Sequence, residues 1–489
     1  MEDATRLIKL LVPQIPSLAS TALWHTLGRT PNSDKWDLRT EMTVQVLRYF
    51  MSGAGQATPS PVSRVQRMSL KPQPVKGKVW AAQAMLKAPT AGEETVREAV
   101  FKAIEDMASS PVNYTKPDLV DLEVEWTGFR PEARNDEPAP AISEEEKYKR
   151  MMAEPTRTSE TTILYVHGGA YYLCGLDTHR PLCSRLAKES AGRVCSVKYR
   201  LAPQAAFPSQ LLDAFTAYLS LLYPPPGSMH EPVPAKHIVV SGDSAGGNLA
   251  FALLQLLLQL HRTSATPTVR FFGKDVEVPL PAGFAANSGW FDITRSMPSI
   301  TDNHKTDYLP LPNHDDAVSR FPKDDIWPTT PPRGDLFCDL SLIDHPLVSV
   351  VGAESWEKSP PLWFNTGGEM LTDEDKLVVS RTAQQGVTVH YEEYEAMPHC
   401  FPMLIPHLEE STKCIKSWGS FCRRAVEEPA SLKTNGTFFH AKTGKQYAVD
   451  PKTVSKIDIH EARKLMAEAK EQRLKGYDHE GKGMPKPSL

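Results

Sequence analysis

Residues 237–254 read His237-Ile-Val-Val-Ser-Gly-Asp-Ser244-Ala-Gly-Gly-Asn248-Leu-Ala-Phe-Ala-Leu-Leu254. Ile238 to Val240 is a short β-branched run, the pattern of a buried strand. Gly242-Asp243-Ser244-Ala245-Gly246 is a G-x-S-x-G turn, and an apolar run of helical spacing follows from Leu249 to Leu260. Strand, tight turn and helix in that order are what a nucleophile elbow requires. A serine at the tip of a strained turn needs neighbours without bulk, because strand and helix approach closely there. The turn also sets Ser244 and the Ala245 N–H at a helix N-terminus, which favours developing negative charge.

Outward from that elbow the same alternation continues. Thr162-Ile-Leu-Tyr-Val166 reads as a strand that runs straight into His167-Gly168-Gly169-Ala170. A helix is expected around Leu182–Lys188, a strand over Arg193–Tyr199 and a helix over Ala206–Leu222. Further strands are expected at Phe284–Ser288, Leu362–Thr366 and Val387–Tyr394. Strands alternating with helices indicate a parallel, doubly wound α/β sheet.

The flanks differ. Residues 1–118 read as mainly helical, at Leu7–Leu11, Trp36–Met51 and Glu93–Ala108, with a Pro/Gly-rich loop over 53–77. Val120–Trp126 alternates apolar and polar residues and is expected to be the first strand of the sheet. Residues 131–159 are rich in Pro, Glu, Lys and Arg and suggest an exposed insertion, a loop or short polar helix. Residues 295–345 are irregular and fit a lid. After Glu427 the chain is polar, with a helical pattern at Ile457–Leu474 and a disordered-looking last fifteen residues. The expected units are therefore a cap segment at 1–118, a catalytic α/β domain at 119–426 and a polar extension at 427–489 that lies outside the sheet.

Composition excludes several classes. The 489 residues are 40% hydrophobic, ample for a large core, and the net charge of −4 with no basic stripe argues against nucleic-acid binding. Seven cysteines, at 174, 183, 195, 338, 400, 414 and 422, form no C-x-x-C pair and read as thiols of a reducing compartment. Met1-Glu-Asp-Ala is acidic, and Pro13 and Pro16 interrupt the apolar run after it, so no secretory signal is recognised. The apolar helix at Leu249–Leu260 falls short of the ~20 residues a membrane span needs. The expected compartment is the cytoplasm, with peripheral membrane contact left open.

The chemistry follows from where the reactive residues fall. Glycines at 168 and 169 directly after a strand fit an oxyanion-binding turn, since backbone donors must approach a carbonyl closely. His167 reads as structural. A serine hydroxyl is a weak nucleophile at neutral pH and needs a base within hydrogen-bond reach. In folds built on this elbow the partners follow the serine in the order acid, then histidine. His399, in Ala396-Met-Pro-His-Cys-Phe401 after the last strand, holds the position of the base. The acid is expected after the penultimate strand, where Gly367-Gly368-Glu369-Met-Leu-Thr-Asp373-Glu374-Asp375 offers four carboxylates, most of them suited to an ordinary acidic helix start.

Over residues 160–425 the sequence resembles the hormone-sensitive-lipase-like branch of the α/β-hydrolase family. The resemblance rests on His-Gly-Gly at 167–169, Tyr199-Arg-Leu-Ala-Pro203, Phe207-Pro208, Gly242-Asp-Ser-Ala-Gly-Gly247, Leu280-Pro-Ala with Ser288-Gly-Trp290-Phe-Asp292, and Met397-Pro-His399. The family's acid pattern, Gly-x-x-Asp-x-Leu-x-Asp, puts Glu369 in the place of the first Asp, with Leu371 and Asp373 matching the rest. The resemblance implies a serine esterase with Ser244 as nucleophile, His399 as base and Glu369 as the orienting acid. Gly168, Gly169 and Ala245 would hold the oxyanion, and a helical cap would shape an acyl pocket. It implies no metal or cofactor, and a small-molecule ester as the partner. Two rivals stand beside it: Asp373 as the acid, and a non-catalytic ligand-binding protein on the same fold. The late His399 speaks against the second, because the hormone receptors derived from this family lack it.

Overall fold

The computed structural model describes residues 12–51, 60–312 and 321–475. Ten strands form one sheet in the order β1-β2-β4-β3-β5-β8-β9-β10-β11-β12. They are β1 (Val79–Leu86), β2 (Leu122–Phe129), β3 (Thr162–Val166), β4 (Arg193–Val197), β5 (Ile238–Asp243), β8 (Gly283–Asn287), β9 (Leu362–Gly367), β10 (Val389–Tyr394), β11 (Asn435–Phe439) and β12 (Gln446–Ala448). From β4 through β11 every neighbouring pair is parallel, and β1, β2 and β12 add antiparallel edges. A separate hairpin joins β6 (Thr268–Phe271) to β7 (Lys274–Glu277).

Both faces of the central strands are covered, so these strands are apolar throughout rather than alternating. In β3, Leu164 and Val166 join a core on one side, whereas Ile163 and Tyr165 join a second core on the other. The first core takes in Leu211–Leu222 of α7 (Ser209–Leu222) and Leu249–Leu258 of α8 (Ala245–Thr263). The second takes in Leu182–Ala187 of α6 (Leu176–Glu189) and Ile415–Ala425 of α10 (Glu409–Glu427). Of the remaining helices, α1 (Ile15–Thr26), α2 (Leu38–Met51), α3 (Val62–Ser69), α4 (Val96–Met107) and α5 (Glu144–Met152) precede β3. Helix α9 (Thr372–Gln384) follows β9, and α11 (Ile459–Lys475) ends the described chain.

The flanks depart from the sequence reading. Residues 1–118 are not purely helical, because β1 lies within them, and of the expected first strand Val120–Trp126 only Leu122–Trp126 is strand, within the second strand β2. Val79-Trp-Ala-Ala-Gln-Ala-Met-Leu86 carries Ala, Gln, Met and Leu and shows no alternation, since its first four residues are all buried. Pairing along the whole of β2 overrides that local preference. Helix α3 interrupts the loop expected at 53–77. In the insertion at 131–159, Ser143 caps α5 by accepting the Glu146 N–H, but Tyr148 and Met151 are buried, so this helix packs against the sheet. A Cβ on Gly128 of β2 would come within 2.4 Å of Met151. The tail does not lie outside the sheet: β11 pairs in parallel with β10, and Phe439 stacks on Tyr394 at 4.3 Å between ring centroids. The signal was faint because β11 has five residues and β12 is wholly exposed, leaving no apolar run to read. The expected helix at Leu7–Leu11 lies outside the described residues, as does all of the last fifteen residues except Lys475.

Candidate active site

Strand β5 ends at Asp243 and α8 begins at Ala245, with Ser244 between them at φ 51°, ψ −123°. A non-glycine residue with positive φ is held there only by its surroundings, at a cost of roughly 1–3 kcal/mol. Here the hold is explicit. The Ser244 N–H donates to Asn287 O at 3.0 Å, and Ser244 O accepts from Asn248 N and Trp290 N, each at 3.0 Å. The glycines are required by space: a Cβ on Gly242 would lie 2.4 Å from Gly246 O, and one on Gly246 would lie 2.1 Å from Val166 O.

The loop after β10 brings His399 to this serine, with Nε2 2.9 Å from Ser244 Oγ. On the other side of the ring, Nδ1 is 2.5 Å from Glu369 Oε2. The carboxylate on Nδ1 fixes the tautomer that carries its proton there, and so leaves the Nε2 lone pair for the serine hydroxyl. Glu369 Oε1 accepts from Thr366 Oγ1 at 3.0 Å and from the Gly367 N–H at 3.1 Å. The acid can sit this close because β9 ends in Gly367 and Gly368 follows it directly. A Cβ on Gly367 would fall 1.9 Å from Met397 O in the loop of the base. Asp373 is elsewhere, its Oδ2 accepting the Ser299 N–H at 2.8 Å at the start of α9.

Electrostatics follow that geometry. Burial opposes charge on both partners, but attraction and the shared hydrogen bond outweigh it. Glu369 is held below the usual carboxylate range and His399 above the usual imidazole range.

The oxyanion-side donors are arranged differently from the sequence reading. The Gly168 N–H donates to Asp243 Oδ1 at 3.0 Å and is therefore already used. Asp243 is buried beneath the elbow, where Tyr165 OH donates to Oδ1 at 2.5 Å and His179 Nε2 lies 3.2 Å away. Burial pushes its carboxyl up, yet His179, Tyr165 and Gly168 together hold it at about 2. Gly169 follows with φ 109° and Ala170 with φ 51°. Among the described residues the N–H groups of Gly169, Ala170 and Ala245 have no acceptor. Ala170, whose free N–H follows that of Gly169 in the same turn, carries no glycine to mark it in the sequence. His167 stacks on Tyr199 at 4.4 Å, with Nδ1 2.7 Å from Gly168 O. Burial lowers its pKa to about 4, in keeping with a structural, neutral ring.

Among the described residues no group of three or more His, Cys, Asp or Glu could hold a metal ion, and no helix is long and apolar enough to cross a membrane.

A family model described as an alpha/beta hydrolase fold matches residues 163–403. An acetyl-hydrolase of Streptomyces hygroscopicus is 30% identical over 275 residues, covering 56% of this chain and 79% of that protein. An esterase of Acinetobacter venetianus is 29% identical over 260 residues, covering 53% of this chain and 73% of its own. A solved structure of a mutant of the esterase E40 shares the fold at a TM-score of 0.52 and 22% identity, over 78% of this chain and 97% of that one.

Proposed function

This chain belongs to the α/β-hydrolase family, in its hormone-sensitive-lipase-like branch, and is a carboxylic ester hydrolase; we propose that it works through a Ser244–His399–Glu369 triad and an acyl-enzyme. The observation that carries this reading is the unbroken line from Glu369 Oε2 through His399 to Ser244 Oγ.

Ser244 Oγ attacks the ester carbon as its proton passes to His399 Nε2. The imidazolium that forms is stabilised by Glu369, which keeps its own charge. The N–H groups of Gly169, Ala170 and Ala245, all without a protein acceptor, would receive the tetrahedral oxygen. Each such donor is worth ~10²–10³ in rate. Gly168 has another role in this reading: its bond to Asp243 fixes the turn that aims the next two donors. His399 then protonates the leaving alcohol, and in the second half it activates water to release the acid.

A small acetyl or short-chain ester is the proposed substrate, in line with the acetyl-hydrolase among the relatives. The seven cysteines are all unpaired, which supports a reducing, cytoplasmic setting. Ser244→Ala should abolish hydrolysis of p-nitrophenyl acetate with the thermal midpoint near that of the wild type. Loss of a triad member typically costs ~10⁴–10⁶ in rate. Activity at a tenth of wild type would exclude Ser244 as the nucleophile.

A further inference from the structure

Asp307 lies in the irregular segment expected to form a lid, between the turn His304–Thr306 and Tyr308, and its carboxyl is fully buried. Oδ1 accepts the His399 N–H at 3.2 Å and the Tyr308 N–H at 2.7 Å, while Oδ2 accepts the Met370 N–H at 2.9 Å. One carboxylate thus grips the backbone of the base and of the residue that follows the acid. The same segment holds the acid's loop twice more. Asn303 Nδ2 donates to Glu369 O at 2.8 Å, and Thr306 Oγ1 donates to Gly368 O. From outside, Arg48 of α2 donates through Nε to Asp307 O at 2.7 Å and through a second nitrogen to Lys305 O at 2.5 Å.

We infer that Asp307 is a positioning residue, whose carboxylate keeps the loops of His399 and Glu369 in register and ties them through residues 303–308 to helix α2. This rests on the triad reading above. Two consequences follow from the contacts. An amide in its place keeps one acceptor oxygen and turns an NH₂ toward the other loop, so either the His399 or the Met370 N–H loses its acceptor and the two loops can shift apart. A misplacement of about 1 Å in such a constellation can reduce rate by ~10²-fold. The carboxyl also lies beside the imidazole as a second acidic group. His399 and Glu369 face it from the two loops, Arg48 faces it from α2 and Tyr308 from its own segment. Asp243 and Cys400 also lie near His399. Burial and Glu369 push the Asp307 carboxyl up, and His399 with the backbone donors works against them. Its charge in turn favours protonated His399.

Asp307→Asn in the full chain tests this, with kcat, KM and the pH profile measured on p-nitrophenyl acetate beside Ser244→Ala. The expected result is a kcat lower by ~10–100-fold with KM within about twofold, as the reacting groups and not the binding surface are displaced. The acid limb of kcat/KM should move to lower pH, because removing a neighbouring negative charge lowers the pKa of the imidazole. A purely structural residue would lower the thermal midpoint without moving that limb. A kcat within twofold of wild type, or an unmoved limb, overturns the inference. Should the variant fail to fold, Arg48→Gln loosens the same segment from outside and is expected to lower kcat about threefold or more, and wild-type kcat there overturns it equally. Activity retained by Ser244→Ala would instead sink the triad itself.

Discussion

Glu369→Gln replaces the acid with a group of the same shape, and the surroundings dictate what that group must do. Oε1 of Glu369 accepts from two donors, Thr366 Oγ1 and the Gly367 N–H, so the amide oxygen of the glutamine has to take that place. Its NH₂ then faces His399 Nδ1, where Oε2 stood 2.5 Å away. An amide donor there stabilises the tautomer with the proton on Nε2, which cannot accept the proton of Ser244. The imidazolium of the transition state also loses its countercharge. Both effects act on the chemical step, and kcat should fall by ~10³–10⁴, or ~4–5.5 kcal/mol at 1.36 kcal/mol per decade, with KM little changed. Asp373→Asn is the control. Asp373 accepts one backbone N–H, from Ser299, at the start of a helix, so its loss should cost ~1 kcal/mol of stability and less than ~30-fold in rate. The assay is initial-rate hydrolysis of p-nitrophenyl acetate by both purified variants, with circular dichroism melts alongside. A Glu369→Gln enzyme at more than a tenth of wild-type kcat, or a larger deficit in Asp373→Asn, would refute the reasoning.

Three further outcomes are expected. His399 must be neutral to accept the serine proton, and its partners raise its pKa. Activity is therefore present above that raised value and lost as pH falls through it, so the acid limb of kcat/KM should lie above the ordinary imidazole value of 6.5; a limb below 6 would contradict the coupling to Glu369. Gly168→Ala would bring a Cβ within 2.3 Å of Asp243 Oδ2 and break the bond that fixes the oxyanion turn; kcat should drop by at least ~100-fold, and a near-wild-type kcat would show that the turn tolerates the displacement. Removing residues 430–489 should lower the melting temperature sharply or yield insoluble protein, since it strips β11 from β10 and takes away Met466, packed on Gly352, and Arg473, paired with Asp335; a soluble truncation that melts with the full chain would contradict this.

What could be read in advance was what short-range chemistry imposes. The elbow declared itself because its glycines are demanded by contacts of 2.1 and 2.4 Å, and His399 by its loop position late in the chain, whereas only the family resemblance pointed to Glu369 among the four carboxylates after β9. The edges of the sheet were less legible. The pattern of β1 is that of a helix former until a partner strand buries it, and β11 is too short to show a period. Gly168 was expected to donate to the oxyanion, and only its neighbour Asp243 in three dimensions shows that its N–H is spent. Asp307 carries no local signal at all. It is one Asp in a polar stretch, and its meaning comes from the two N–H groups it meets, 63 and 92 residues further along the chain.

The central claim, that Ser244 is a nucleophile activated by His399, is tested most directly by covalent labelling. The folded protein is treated with a fluorophosphonate probe, and the adduct is located by peptide mass spectrometry. The account predicts a single modified site at Ser244 in the native enzyme. Labelling should vanish in heat-denatured protein and in Ser244→Ala, and should be far slower in His399→Ala, because the serine hydroxyl depends on its base. Native protein that remains unlabelled, or that is labelled at another residue with Ser244 untouched, would contradict it.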